Sequence, residues 1–269
     1  MLGATVGSFL NVAILRYGTN MSVVNGRSRC MNCSNKLKWY ELIPIFSFVA
    51  QVGKCRKCHS KISLQYPLVE IITGTLFLLI WNHELQITNY EFIFDIHNSL
   101  FIILNSFYLW FAVSVLTIIF VYDLRHYIIP DRMVWIFNGL AFLYIFFENC
   151  LPGQGELGFG NWKIIASQIV SGLAFAAFFA LLWAVSRGRW MGLGDAKLAL
   201  GLGWFLGPTG SIFAFLFSFW LGAIISIILM IFNRKKYTPK TMLPFAPFLI
   251  LGSALAYIIS PFIVTYFVL

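Results

Sequence analysis

Charged residues are scarce in this chain. They make up 11% of its 269 residues, whereas 59% are hydrophobic and 18% are aromatic. An ordinary soluble domain carries about a quarter charged residues, so this scarcity excludes a typical water-exposed surface. The composition predicts that lipid is the main solvent and that the fold is an all-α, polytopic membrane helix bundle.

Two further features are missing near the N-terminus and along the chain. Met1 is followed at once by an apolar run, with no basic stretch before it and no small-residue cleavage site after it. We therefore expect that this run is a membrane span and not a removable signal peptide. No internal repeat and no dinucleotide-binding glycine fingerprint is apparent.

Apolar segments that approach the roughly 20 residues of a membrane span are frequent. They lie at 2–16, 66–82, 99–122, 133–148, 163–186, 211–232 and 244–268, with a shorter one at 196–207. The short segment ends at Gly207–Pro208, where a re-entrant helix is an alternative to a span. Counting it as a span predicts about eight spans.

The formal net charge is +9, which by itself would suit nucleic-acid binding. However, 18 of the 19 Lys and Arg residues lie in 16–65, 123–132, 187–197 and 233–240, between the apolar segments. Positive residues in such loops set membrane orientation and attract anionic lipid. We therefore expect no nucleic-acid partner, membrane lipids as partners, and basic loops on the cytoplasmic side.

Four cysteines form two Cys-x2-Cys pairs in the first loop. Cys30 and Cys33 precede Cys55 and Cys58, and 21 residues separate the two pairs. Four thiolates close a tetrahedral shell around structural zinc, and a small loop needs such support to fold. The pattern predicts a zinc loop, with two disulfides as the alternative. His59 could substitute as a ligand.

Asp123 ends a long apolar run, so its charge lies next to lipid at a cost in free energy. Ionisable groups at or inside a membrane span usually face a cavity and carry function. An interfacial carboxylate paired with Arg125 or Arg132 is the alternative interpretation.

Asp195 follows two glycines in the segment 191–197 and directly precedes an apolar run. Considered alone, this carboxylate could simply cap the next helix. Considered with Asp123, it lies on the same predicted side of the membrane. Two close carboxyls do not ionise together easily, so one can act as an acid while the other activates water for attack on an amide.

Other polar residues receive simpler interpretations. Asp131 follows Pro130 and is expected to cap a helix, or else to position the loop that carries Asp123. Glu84, Glu91 and Asp95 are interpreted as solvated loop charges.

Several motifs together resemble the prepilin peptidase family, also called type IV leader peptidases. The resemblance covers nearly the whole chain and keeps the family's order. Its motifs are Gly7-Ser8-Phe9-Leu10-Asn11-Val12, the four-cysteine loop, Tyr66-Pro67-Leu68-Val69-Glu70, Asp123 with Ile129-Pro130-Asp131, Gly192-Leu193-Gly194-Asp195-Ala196-Lys197-Leu198 and Leu243-Pro244-Phe245-Ala246-Pro247-Phe248.

The resemblance implies a membrane aspartic endopeptidase in which Asp123 and Asp195 are catalytic. It implies cleavage after a glycine that ends a short basic leader, on prepilin or pseudopilin precursors, at the cytoplasmic face of the bacterial inner membrane. It also implies N-methylation of the new terminus with S-adenosylmethionine. The expected domains are a first span at 1–16, a zinc loop at 17–65 and a peptidase domain at 66–269.

The sequence departs from the family pattern at two places near the zinc loop. Met31-Asn32 stands where the family usually has a proline, and Tyr17-Gly18 replaces a Leu-Pro pair. These departures bear on methylation more than on proteolysis. Competing hypotheses are a presenilin-like protease, a proton-coupled transporter and a non-catalytic zinc-bearing assembly factor.

Overall fold

A computed structural model describes residues 1–19, 21–87, 96–150, 162–232 and 243–267, and it contains no β-strand in these ranges. The described residues form long helices, with one extended loop between Arg16 and Gln65, which confirms the all-α prediction. A short 3₁₀ helix, Trp39–Leu42, also lies in the first loop. The α-helices are α1 (Leu2–Arg16), α2 (Phe46–Ala50), α3 (Gln65–Ile87), α4 (Ile96–His126), α5 (Asp131–Cys150), α6 (Trp162–Ser186), α7 (Leu193–Phe232) and α8 (Ala246–Phe267).

Length and apolar character make four of the described helices candidate membrane spans. These candidates are Gln65–Leu85, Ile102–His126, Trp162–Ser186 and Leu193–Phe232. Two shorter apolar helices, Leu2–Arg16 and Ala246–Ile259, accompany them in the described part of the chain. In lipid a helix satisfies its own backbone hydrogen bonds, so these apolar runs have little alternative to helix.

Helix α7 contains a break at the position where the sequence predicted a boundary between two segments. Gly207 adopts φ 69° and ψ −174°, outside helical values, and Pro208 follows it. The Ser211 hydroxyl donates a hydrogen bond of 2.6 Å to the Gly207 carbonyl and lies 2.9 Å from the Ser171 hydroxyl of α6. Because proline has no N–H, the helical hydrogen bond from position 208 to the Trp204 carbonyl is lost at this break.

The chain forms two compact units, Met1–Ile118 and Ile119–Leu269, and the boundary between them falls inside α4. In the first unit, α1 packs closely on α3 through small residues. A Cβ on Gly7 would lie 2.8 Å from the Cα of Glu70, and a Cβ on Gly3 would lie 2.9 Å from the Cα of Gly74. Such spacing of small residues lets helix backbones approach each other in a membrane.

A buried asparagine adds a polar connection between the same two helices. The Asn11 side-chain amide donates to the carbonyls of Gly7 at 3.2 Å and Tyr66 at 3.1 Å. Because Tyr66 is the second residue of α3, this contact aligns the C-terminal part of α1 with the N-terminus of α3.

Glu84 corrects one sequence prediction. It was expected to be a solvated loop charge, but it lies in α3 with only 7% exposure. Its Oε2 accepts a hydrogen bond of 2.8 Å from the Asn105 side chain of α4. Glu91 and Asp95, which received the same interpretation, lie outside the described residues.

In the second unit, α7 packs against α5, α6 and α8. Glycines again allow the close approach, since a Cβ on Gly203 would lie 2.6 Å from the Cα of Gly172 in α6. Phe219 of α7 stacks parallel to Phe179 of α6, and its ring centroid lies 5.3 Å from that of Phe245. Phe245 immediately precedes α8, so this aromatic cluster places the start of α8 beside α6 and α7.

Candidate active site and metal centre

Asp123 lies in the last turn of α4 and is only 3% exposed. The helix ends just after it, because Tyr127 adopts φ 56° and its N–H donates to the Asp123 carbonyl at 2.8 Å. The Asp123 carboxyl accepts a hydrogen bond from the backbone N–H of Ala246. Ala246 is the first residue of α8, and the positive end of a helix dipole stabilises a carboxylate there.

Asp195 lies in the first turn of α7 and is 5% exposed. It is the third residue of the helix, so it does not occupy the N-cap position that the sequence offered as an alternative. The backbone N–H groups of Gly192 and of Asp195 itself donate to the carboxyl. A carboxylate in the first turn gains from the unpaired N–H groups at that helix end.

The two carboxyls are neighbours in the second unit, since the charge of Asp123 acts electrostatically on Asp195. A glycine contact supports this placement: a Cβ on Gly194 would lie 3.0 Å from the Cβ of Ile129, in the connection between α4 and α5. Glycine therefore lets the α7 start approach the segment that follows Asp123. The alternative pairing of Asp123 with Arg125 or Arg132 does not occur among the described ion pairs.

Each carboxyl has one buried oxygen that no described side chain or backbone group hydrogen-bonds. These atoms are Oδ2 of Asp123 and Oδ1 of Asp195. Backbone N–H groups thus orient both carboxyls while leaving each with an oxygen for another partner. Such a pair can share one proton and can both donate to and accept from a reacting group.

A second set of contacts holds α5 against α7 next to the aspartates. Lys197 Nζ lies 2.7 Å from Asp131 Oδ1, and the buried Asn138 amide donates to the Lys197 carbonyl at 3.0 Å. A Cβ on Gly201 would collide with the Asn138 side chain. Asp131 begins α5, and its ion pair is consistent with the positioning role that the sequence offered as the second interpretation.

Sequence reasoning missed two polar groups of this region. Ala246 contributes only its backbone N–H, for which the motif at 243–248 was the available signal. Asn138 could have been noticed as an amide within an apolar segment.

The four cysteines of the first loop form a compact cluster in the first unit. The Sγ atoms of Cys30, Cys33, Cys55 and Cys58 all lie within 4.8 Å of one another, and none forms a disulfide. This group could hold a metal ion, and a closed set of four thiolates suits zinc in a structural site.

The cluster is built from two similar knuckles, residues 29–36 and 54–61, each a turn around one Cys-x2-Cys pair. Their similarity corrects the expectation that the sequence has no internal repeat. Backbone hydrogen bonding pairs Arg29 with Lys36 in the first knuckle and Lys54 with Lys61 in the second, each as an isolated antiparallel β-bridge. In each knuckle the residue after the second cysteine, Ser34 or His59, has φ close to 55°. The sequence carries the same short repeat, because Cys-x2-Cys-x2-Lys occurs at 30–36 and again at 55–61.

The pKa values of the thiols reflect their crowding. The Ser60 hydroxyl, 3.1 Å from Cys58 Sγ, lowers the pKa of Cys58 to about 6. The Asn35 backbone acts to lower the pKa of Cys33, but desolvation and the neighbouring thiols outweigh it and raise that pKa to about 11. A bound cation relieves this repulsion between thiolates.

The remaining candidates do not join these clusters. His59 is exposed and lies outside the four-cysteine group. The fifth cysteine of the sequence, Cys150, has its side chain outside the described residues.

Fold and site together define a class of protein. The chain is a multi-pass helical membrane protein with two neighbouring buried aspartates at the ends of two apolar helices. It also carries a four-cysteine knuckle pair between its first two long helices.

Comparison with known families agrees with this class. Residues 1–83 match the bacterial peptidase A24 N-terminal domain, and residues 110–227 match the type IV leader peptidase family. The chain belongs to the type IV leader peptidase family.

Individual relatives support the same assignment over most of the chain. The chain is 30% identical to a prepilin leader peptidase/N-methyltransferase of Bacillus subtilis, covering 100% of this chain and 96% of the relative. It is 32% identical to the protein of that name from Myxococcus xanthus, over 90% of this chain but 64% of the relative. The Vibrio cholerae protein is 27% identical over 94% and 92%. No solved structure gives a significant match.

Family membership also decides between the competing hypotheses. A transporter and a non-catalytic assembly factor are not favoured by relatives that carry peptidase names.

Proposed function

We propose that this protein is a membrane aspartic endopeptidase that removes the leader from prepilin or pseudopilin precursors. The observation that carries the proposal is the neighbouring pair Asp123 and Asp195, buried in α4 and α7 and oriented by backbone N–H groups. The names of the relatives supply the substrate class.

In the proposed reaction one carboxyl is ionised and removes a proton from water as the water attacks the scissile carbonyl. The other carboxyl is protonated and donates a hydrogen bond to the carbonyl oxygen. It then transfers its proton to the leaving amine. The Ala246 N–H orients Asp123, and the Gly192 N–H orients Asp195. The two oxygens without protein partners, Asp123 Oδ2 and Asp195 Oδ1, are the atoms assigned to water and carbonyl.

The direct test is cleavage by purified protein. Full-length protein in detergent should shorten a model prepilin with a basic leader, and mass spectrometry should locate the cut after the glycine that ends the leader. A prepilin with that glycine changed to a bulky residue is the matched substrate control. Intact substrate at high enzyme concentration would contradict the proposal.

N-methylation of the new terminus with S-adenosylmethionine is a second proposed activity. It rests on the relatives' names and on the resemblance of the four-cysteine loop to the family's zinc loop. In the same mass spectra, S-adenosylmethionine should add one methyl group to the mature product. We further propose that zinc is the metal held by Cys30, Cys33, Cys55 and Cys58, where it is structural.

The proposed domains are a first span at 1–16, the zinc loop at 17–65 and the peptidase domain at 66–269. The protein is proposed to lie in the bacterial inner membrane with its basic loops in the cytoplasm, because positive loops are retained there.

Cysteine labelling tests this topology. In intact cells an impermeant thiol reagent should label a cysteine placed at Asn89 or Gln154, and should not label one placed at Asn35 or Tyr237. Cys150→Ala removes the native cysteine that the topology places outside, and permeabilised cells show that all introduced sites are reactive. Labelling at Asn35 but not at Gln154 would reverse the topology and place both aspartates on the opposite face.

A further inference from the structure

The stretch from the 3₁₀ helix to the end of α2 exposes large apolar side chains. We call residues 39–52 the apolar loop segment. Within it Trp39 is 77% exposed, Phe46 64%, Val49 69% and Val52 80%. Single exposed apolar residues need no explanation, but a concentration of this kind usually marks a contact surface.

The apolar loop segment has distinct outer and inner sides. Along α2 the exposed residues are Phe46, Val49 and Ala50, which the helical repeat places on one face. Phe48 lies on the other side, where its ring packs against Gly53, just before the second knuckle. A Cβ on Gly53 would lie 3.1 Å from the Cζ of Phe48. The outer face of α2 is therefore apolar and exposed, while its inner face packs against the start of the second cysteine knuckle.

A partly buried hydrogen bond sets the position of this segment along α3. The Ile45 N–H, just before α2, donates to Glu70 Oε2 at 2.7 Å. Glu70 is 6% exposed and lies five residues inside α3, within the apolar candidate span that begins at Gln65. At 1.5 Å of rise per residue, this places the segment about 7 Å beyond the start of that helix.

The same level of α3 also carries apolar side chains. Leu68, Ile71 and Ile72 lie within two residues of Glu70, on other faces of the helix, and are about half exposed, at 53%, 47% and 48%. Because α3 is a membrane-span candidate, we expect these side chains to face lipid. The outer face of the apolar loop segment lies at the same level of the helix as this lipid-facing surface.

The charges around the segment are positive. Lys38, Lys54 and Arg56 are exposed. The one acid of the segment, Glu41, is 7% exposed at its side chain, where it accepts from the Lys38 N–H at 2.8 Å and pairs with Arg56 Nε at 4.0 Å. An apolar face flanked by exposed cations complements an anionic phospholipid surface.

We propose that residues 39–52 form an in-plane membrane anchor. Trp39, Phe46, Val49 and Val52 enter the boundary between headgroups and acyl chains, and Lys38 and Lys54 bind anionic headgroups. The anchor holds the cysteine knuckles against the membrane surface beside the entry of α3. It is independent of the proposed peptidase activity. A precursor with a basic leader fits this face less well, because the flanking cations would repel it.

Photo-cross-linking of the full-length protein tests the anchor. Benzoyl-phenylalanine replaces Phe46 or Val49, and Lys57 is the matched control because it is exposed on the knuckle between Cys55 and Cys58. The proteins are placed in nanodiscs of phosphatidylethanolamine and phosphatidylglycerol and irradiated. Mass spectrometry should find phospholipid adducts at 46 and 49 and none at 57. Unchanged metal content confirms that each variant folds.

Two further measurements make the outcome decisive. In nanodiscs that contain both phosphatidylglycerol and phosphatidylcholine, Lys38→Ser with Lys54→Ser should lower the phosphatidylglycerol share of the adducts at Phe46. Addition of a prepilin should leave the lipid adducts unchanged. Absence of lipid adducts at 46 and 49, equal adducts at 57, an unchanged phosphatidylglycerol share, or replacement of lipid by prepilin adducts would each overturn the anchor.

Discussion

Asp123→Asn and Asp195→Asn are each expected to lower the rate of leader cleavage by a factor on the order of 10⁴. The reaction requires one ionised and one protonated carboxyl, and an amide can neither remove a proton from water nor give one to the leaving amine. Cleavage of a model prepilin by purified protein, followed over time by mass spectrometry, measures the loss.

These substitutions should leave the bundle folded. Asparagine has nearly the same shape as aspartate, and its carbonyl oxygen can still accept the N–H of Ala246 or Gly192 that orients each native carboxyl. Replacing a buried carboxyl by a neutral amide also removes the cost of burying a charge. The double variant should be scarcely slower than either single variant, because the two groups act as one unit.

The matched control is Asp131→Asn, the same chemical change on a nearby carboxyl. Its ion pair with Lys197 is partly exposed, with side-chain exposures of 62% for Asp131 and 28% for Lys197. Such a pair contributes about 0–1 kcal/mol, so the variant should retain most of its activity. A folded Asp195→Asn protein that cleaves prepilin at the wild-type rate would refute the catalytic pair.

Loss of the metal is expected to unfold the 21–64 loop while leaving cleavage measurable. The thiols lie within 4.8 Å of one another and crowd as thiolates, so the cluster depends on a cation. Wild-type protein should contain about one zinc per chain. Cys33→Ser with Cys55→Ser, or treatment with a chelator, should remove it and expose the loop to limited proteolysis.

Acid should have the same effect as the chelator. Protons compete with zinc for the thiolates, so metal is retained as the pH rises and is released as the pH falls. The lowered pKa of Cys58, about 6, delays this release toward acidic pH. The metal content after dialysis at a series of pH values measures this release.

His59→Asn is the matched control for the metal prediction. His59 directly follows Cys58 but is exposed, and asparagine tolerates its positive φ of 54°. This variant should keep the zinc and a protease-resistant loop. A metal-free protein whose loop stays resistant would show that zinc is not what orders it.

The elements that sequence reasoning predicted are those with a local cause. Apolar runs long enough for lipid predicted the long helices, and glycine followed by proline predicted the break at Gly207–Pro208. Ligand spacing alone predicted that Cys30, Cys33, Cys55 and Cys58 would converge. These features follow from hydrophobic length, turn chemistry and coordination number, none of which depends on the neighbouring helices.

The identity of Asp123 and Asp195 as candidates also came from the sequence, because carboxyls beside apolar runs are costly. Only the tertiary structure decided their surroundings. The Ala246 N–H reaches Asp123, although 123 residues separate them, because α8 begins beside the end of α4. Asn138, Gly201 and the Lys197 carbonyl likewise meet only because α5 packs on α7.

Burial of single polar groups was decided in the same way. Glu84 looks like a loop charge in sequence, yet packing of α3 beside α4 buries it against Asn105. Ile45 reaches Glu70 only because the segment between the two cysteine pairs lies against the first turns of α3. Hydropathy and motif spacing thus determined which segments cross the membrane and which side chains carry the chemistry. Helix packing decided which backbone groups meet them, because contacts between distant segments depend on small residues and shape rather than on local composition.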